Sequence, residues 1–132
     1  MILVDSCVII DIVENDPVWR PWSERQLITH SLTNELFVNA VVYAELSPHF
    51  TVAGEVDRLL TVSGLRFVGI PREAAFLAGK AHAHYRKRGG MRTSVLPDFF
   101  IGAHATVLGC PILTRDTRRY STYFPKVPLI AP

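Results

Sequence analysis

A chain of 132 residues with 48% hydrophobic and 20% charged side chains suits one folded domain that buries roughly two thirds of its unfolded surface, which argues against disorder and against any need for disulfides or structural zinc. Its uncharged runs are too short to cross a bilayer, and its first residues lack the basic start and cleavage site of a secretory signal, so a cytoplasmic location is expected. The net charge is only +2, and the two cysteines, Cys7 and Cys110, lie in apolar settings that favour free buried thiols.

Met1 to Val4 form an apolar run typical of a parallel strand covered on both faces, with Asp5 at its carboxyl end. Ser6 is placed to cap a helix through about Asn15 that turns Ile9, Ile10 and Val13 inward, leaving Asp11 and Glu14 as solvated charges. Asp16-Pro17 should open a second helix running to about Thr33. Leu36-Phe37-Val38 is the next strand, followed by Asn39 as a cap and a helix carrying Val42, Tyr43, Glu45 and Leu46 until Ser47-Pro48 interrupts it.

Thr51 to Thr61 has helical spacing, Gly64 ends it, and Arg66-Phe67-Val68 makes a third strand. Pro71 opens a helix to Tyr85 that Gly89-Gly90 closes. Pro97 starts another, with Asp98 as its second residue and Leu108-Gly109 at its end. Pro111-Ile112-Leu113 supplies a fourth strand, and Val127 to Ile130 a fifth whose proline suits only an edge. Strands alternating with helices imply an α/β fold: a three-layer sandwich around a mainly parallel sheet of four or five strands, in a single domain over 1–132.

Four acidic residues fall where apolar segments end: Asp5, Glu45, Asp98 and Asp116. Ligands of open parallel sheets collect beyond the strand carboxyl ends, where Asp5 and Asp116 lie. Four carboxylates gathered there, about 5 Å apart at an effective dielectric of about 20, would repel by roughly 3 kcal/mol per pair. A counter-ion is then expected, and oxygen donors without a cysteine or histidine motif favour Mg²⁺ or Mn²⁺. The histidines do not share a helix face or a ligand spacing and are expected on the surface or in helix packing. Basic residues crowd two segments, Arg86-Lys87-Arg88 with Arg92, and Arg115, Arg118 and Arg119; an acidic centre with basic margins suits a phosphodiester.

Met-Ile-Leu-Val-Asp5-Ser6-Cys7-Val8-Ile9, Ala44-Glu45, Leu96-Pro97-Asp98-Phe99-Phe100-Ile101-Gly102-Ala103-His104-Ala105 and Leu113-Thr114-Arg115-Asp116-Thr117-Arg118-Arg119-Tyr120 together resemble the PIN domain, a family of metal-dependent ribonucleases, and more closely its VapC-type toxins. The last two segments are the most specific. The resemblance implies that Asp5, Asp98 and Asp116 hold metal, that Glu45 completes the quartet and orients a water or accepts its proton, and that the substrate is RNA. It also implies a VapB-like antitoxin partner and a homodimer. Ser6 and Thr114 serve either as hydroxyls beside the carboxylates or as caps. Arg86, Arg88 and Arg92 are candidate RNA contacts, Arg115 and Arg118 candidate partners of nearby carboxylates or of the antitoxin, and Trp19 and Trp22 suit a dimer face or the core.

Other readings are weaker. A phosphoaspartate hydrolase wants a second Asp where Cys7 stands, and Asp5-Ser6-Cys7-Val8 lacks the glycines of a dinucleotide-binding turn. The remaining alternative is a catalytically inactive PIN-like module that binds RNA or protein.

Overall fold

The computed structural model describes residues 1–90 and 95–132, and in it five short apolar segments pair as one wholly parallel sheet. These are β1 (Ile2–Val4), β2 (Leu36–Val38), β3 (Leu65–Phe67), β4 (Ile112–Leu113) and β5 (Leu129–Ile130), in the order β3-β2-β1-β4-β5. β1 takes the centre because Ile2, Leu3 and Val4 are all buried and tolerate cover on both faces. Leu3 sits level with Phe37 on one side and with Ile112 on the other. Pro128, which has no N–H to give, precedes the edge strand β5.

Helices flank the sheet: α1 (Ser6–Val13), α2 (Arg20–Ser31), α3 (Ala40–Leu46), α4 (Ala53–Val62), α5 (Arg72–Lys87), α6 (Leu96–Leu108) and α7 (Arg118–Tyr123). α5 packs on α6, and α1 on α2. Asn39 caps α3 through its side-chain oxygen, which accepts from the N–H groups of Val41 and Val42 at 3.1 and 3.0 Å. The same side chain's nitrogen lies 3.2 Å from His104 Nδ1 in α6. Because the Asn39 oxygen is committed to the cap, its amide donates to a neutral His104, whose pKa burial also lowers. α3, which carries Glu45, is thereby tied to α6, which carries Asp98.

Several local expectations change, among them the third strand, which runs Leu65–Phe67 and leaves out Val68. Asp5, not Ser6, is the cap of α1, its side chain accepting from the Ser6 N–H. α2 begins only at Arg20, because Asp16 first takes the N–H groups of Val18 and Trp19 in a turn of its own. The segment after Asp116 forms α7, with Phe124 lying so close to α6 that a methyl group at Gly102 would collide with its ring.

The strand order places the site. From β1 the chain steps outward through β2 to β3, then returns to lay β4 on the opposite side of β1. The reversal lies between β1 and β4, and the crevice beyond their carboxyl ends is where such sheets bind ligands.

Candidate active site

Asp5 leaves β1 into that crevice and is 6% exposed. One carboxylate oxygen, Oδ1, accepts from the Ser6 N–H at 2.8 Å. The other, Oδ2, accepts from Thr114 Oγ1 at 2.7 Å and from the Tyr120 hydroxyl at 3.1 Å. Burial nonetheless pushes the Asp5 pKa up against those three donors, and the charge of Asp116 adds to the rise. The group is held in place yet short of positive charge.

Thr114 follows β4 and is fully buried. Its one proton goes to Asp5, and its oxygen accepts from the Asp116 N–H at 3.0 Å, so it couples the two carboxylate-bearing segments. Cys7 Sγ lies 3.6 Å from the same hydroxyl. Burial first, then the Asp5 charge, raises the Cys7 thiol to about 11, which keeps the free thiol neutral and a poor nucleophile.

Glu45 projects from α3, and the Ser6 hydroxyl donates to its Oε1 at 3.0 Å. Ser6 therefore acts beside a carboxylate. Burial raises the Glu45 pKa from its usual 4.5 to about 7, with Asp5 and Asp98 pushing in the same direction. Asp98 stands in the first turn of α6, a position that favours negative charge. Its pKa is raised all the same, by burial and then by Asp5, while Arg119 opposes. Arg119 Nη1 donates to Asp98 Oδ2 at 3.1 Å. Asp116 is exposed, its Oδ1 accepting from the Arg118 N–H at 3.2 Å.

The four acidic residues thus share one electrostatic neighbourhood, Asp5 and Asp98 each responding to Asp116 and Glu45 to both of them. Among the described residues, no three His, Cys, Asp or Glu side chains are arranged as a ready-made metal cage. Asp98 is instead paired with arginine. Asp5, Glu45, Asp98 and Asp116 are the carboxylates that meet at this edge.

Asp11 requires correction. It is 2% exposed, not solvated, and receives Arg115 in a fork, Nε to Oδ2 and Nη2 to Oδ1, both at 2.7 Å. Ser23 donates to Oδ2 at 2.6 Å, and the guanidinium lies 5.1 Å from the Trp19 ring centre. Arg115 is committed to Asp11, and Trp19 and Trp22 are half-buried and meet edge to face at 6.1 Å. Among the described residues, Arg118 donates through its backbone N–H, to Asp116. Arg86 and Arg88 are exposed at the end of α5, and Arg92 lies outside the described residues.

Tyr120 is a partner of Asp5 that the sequence motifs did not single out, and Arg119, read there only as part of a basic margin, pairs with Asp98. The available signal was the spacing of Tyr120, Tyr123 and Phe124, an i, i+3, i+4 apolar pattern that marks the inner face of α7.

Comparison with curated proteins gives no match. Among solved structures the chain is similar to VapBC2 from Rickettsia felis bound to a DNA fragment from their promoter, with TM-score 0.75 and 16% identity over 100% of this chain and 99% of that one. It is similar to VapBC-1 from nontypeable Haemophilus influenzae, with TM-score 0.70 and 18% identity over 99% of this chain and 98% of that one. A toxin-antitoxin complex from Klebsiella pneumoniae gives TM-score 0.69 and 18% identity over 96% and 95%. At these identities the likeness is one of fold. The model of the PIN domain family matches residues 2–125, almost the whole chain including all four acidic positions, and the protein belongs to that family.

Proposed function

We propose that the protein is a Mg²⁺-dependent endoribonuclease, with Mn²⁺ able to substitute, and that it serves as the toxin of a toxin–antitoxin pair. The observation that carries this reading is the stress on Asp5, Glu45 and Asp98: each is pushed toward its neutral form by burial and by a neighbouring carboxylate, Asp116 for Asp5, Asp5 and Asp98 for Glu45, and Asp5 and Asp116 for Asp98. Evolution of a purely structural edge would not need three such groups, whereas a hard cation relieves them together. The donor set is oxygen only, as Mg²⁺ and Mn²⁺ prefer.

Asp5, Asp98 and Asp116 would hold the ion. When bound, it supplies Lewis acidity toward phosphoryl oxygens and makes water a stronger nucleophile near neutral pH. Thr114 and Tyr120 keep Asp5 in one orientation, as ligand-bearing carboxylates require. Glu45, next to the carboxylates that would hold the ion, takes the proton of the attacking water, and Ser6 holds the carboxylate for that role. The water oxygen bonds to phosphorus, the opposite P–O bond breaks, and solvent at the open rim protonates the leaving oxygen. Exposed Arg86 and Arg88 suit contacts to flanking RNA phosphates.

An antitoxin partner is supported by the similar structures, which are VapBC and toxin-antitoxin complexes. Beside Glu45, a depression of about 380 Å³ bordered by Val41, Ala44, Pro97 and Phe100 offers an apolar seat next to the carboxylates. Ile28, Leu32 and Val62 are exposed as well, surface of the sort that a partner or second copy covers in a homodimer.

The test is cleavage of a labelled RNA with Mg²⁺ and after chelation, in wild-type, Asp5→Asn and Asp98→Asn proteins. Cleavage should require metal and fall by at least about a hundredfold in both variants, a loss of roughly 3 kcal/mol of transition-state stabilisation. RNA binding without cleavage under all conditions would instead establish the inactive binding module.

A further inference from the structure

We infer that Arg119 is an internal counter-ion that occupies Asp98 in the metal-free protein, yields that carboxylate to the divalent cation, and then engages a phosphate of the bound RNA. The inference rests on the metal-dependent reading above.

Two arginine–carboxylate pairs in this molecule are built differently. Arg115 meets Asp11 with two donors at 2.7 Å each, and Asp11 is 2% exposed, as befits a permanent clamp. Arg119 meets Asp98 with one donor at 3.1 Å, and although the two arginines are similarly exposed, Asp98 is 30% exposed where Asp11 is 2%. A guanidinium has five N–H donors in a fork that matches carboxylate or phosphate edges two at a time. Arg119 spends one of them on Asp98, so the pairing is of a kind that can be exchanged.

The surroundings favour movement of the side chain over movement of its helix. The next residue, Tyr120, is buried with its hydroxyl on Asp5, and Phe124, just past the end of α7, is packed against α6 at Gly102, so α7 is anchored at Tyr120 and at its carboxyl end. The Arg119 guanidinium lies 5.4 Å from the centre of the Tyr85 ring, a flat face along which a planar cation keeps a favourable contact while its polar edge turns. Consecutive residues of α7 therefore reach both aspartates: Tyr120 locks Asp5 and Arg119 shields Asp98.

Charge decides which cation wins. Asp98 experiences Asp5 and Asp116 as well as Arg119, and Glu45 experiences Asp98 in turn. One guanidinium leaves this group net negative, and a divalent ion supplies twice the charge in a more compact form. An arginine displaced by that ion stands beside the site with its donors free, where the RNA brings phosphate oxygens.

The experiment is calorimetric titration of Mn²⁺ into the wild-type protein, Arg119→Gln and Arg119→Lys, each alone and with a non-cleavable phosphorothioate RNA, alongside RNA affinity at fixed Mn²⁺. Arg119→Gln should bind Mn²⁺ about tenfold more tightly and RNA about tenfold more weakly. RNA should strengthen Mn²⁺ binding in the wild type and do so much less in Arg119→Gln, since coupling between two ligands is reciprocal. Arg119→Lys keeps the charge without the fork, and should keep wild-type Mn²⁺ affinity while losing RNA affinity. Mn²⁺ affinity unchanged in Arg119→Gln, or RNA affinity unchanged in both variants, overturns the inference. No Mn²⁺ uptake by the wild type, with or without RNA, would bring down the metal-dependent reading itself.

Discussion

On the proposed mechanism, Glu45 links catalysis to stability through a single proton. Its pKa in the folded protein is about 7, against a usual value of 4.5, so between those values the folded state binds more protons than the unfolded one. Stability drawn from this group is therefore present in full below about pH 4.5 and is lost as pH rises through 7. Glu45→Gln removes the charge but keeps an oxygen for the Ser6 hydroxyl. The metal-free variant should match the wild type near pH 4.5 and become more stable than it above pH 7, as urea unfolding at several pH values would reveal. A constant difference across that range would show that Glu45 is not under the stress described. Asp5 and Asp98 are pushed in the same direction, so the metal-free site as a whole favours mild acid. The four acidic positions were legible in the sequence because each ends an apolar segment. Arg119 and Tyr120 were not, because their importance lies in what the α7 backbone brings near Asp98 and Asp5, 21 and 115 residues away in sequence.

At the scale of elements, the loop that carries Thr114 and Asp116 is held by the clamp of Arg115 on Asp11, which reaches α1, and by Ser23, which adds α2. Removing Arg115 leaves a buried carboxylate with only a serine for company. Arg115→Ala should lower stability by about 3 to 5 kcal/mol, and Asp11→Leu combined with Arg115→Met should recover most of that loss, because an apolar pair of similar volume escapes the desolvation penalty. Denaturant midpoints of the three proteins decide it. An equal loss in the double variant would place the energy in the ion pair itself. Local rules assigned Asp11 to solvent because its partner stands 104 residues away, beyond any periodicity. The same limitation applied to α7, six residues with Arg118, Arg119, Ser121 and Thr122 among them, too short and polar to declare itself without the sheet and α6 beneath it. The longer strands and helices were readable because burial pattern, capping residue and terminating glycine or proline agreed, as at Asn39, Gly64 and Gly109.

For the whole molecule, what counts is that the chain reverses its direction of growth beside β1. Strands on both sides close over it, the Ile2 N–H donating to Glu35 O at 2.9 Å on the β2 side, and the Leu3 N–H to Pro111 O and the Asp5 N–H to Leu113 O, each at 3.0 Å, on the β4 side. These amides should exchange with solvent only when the entire domain opens, at a rate set by global stability, while those of the exposed turn at Gly89 exchange far sooner. Hydrogen exchange followed by NMR checks this directly. Comparable rates at Leu3 and Gly89 would mean that the central strand frays independently.

Asp5 is thus rooted in the most enclosed strand of the protein, one residue from its end. Local fraying of the strand should therefore not displace it short of the sheet opening. Under the proposed toxin role, restraint would come as a plug over the crevice mouth, and removing that plug would leave the carboxylate in place without any refolding step.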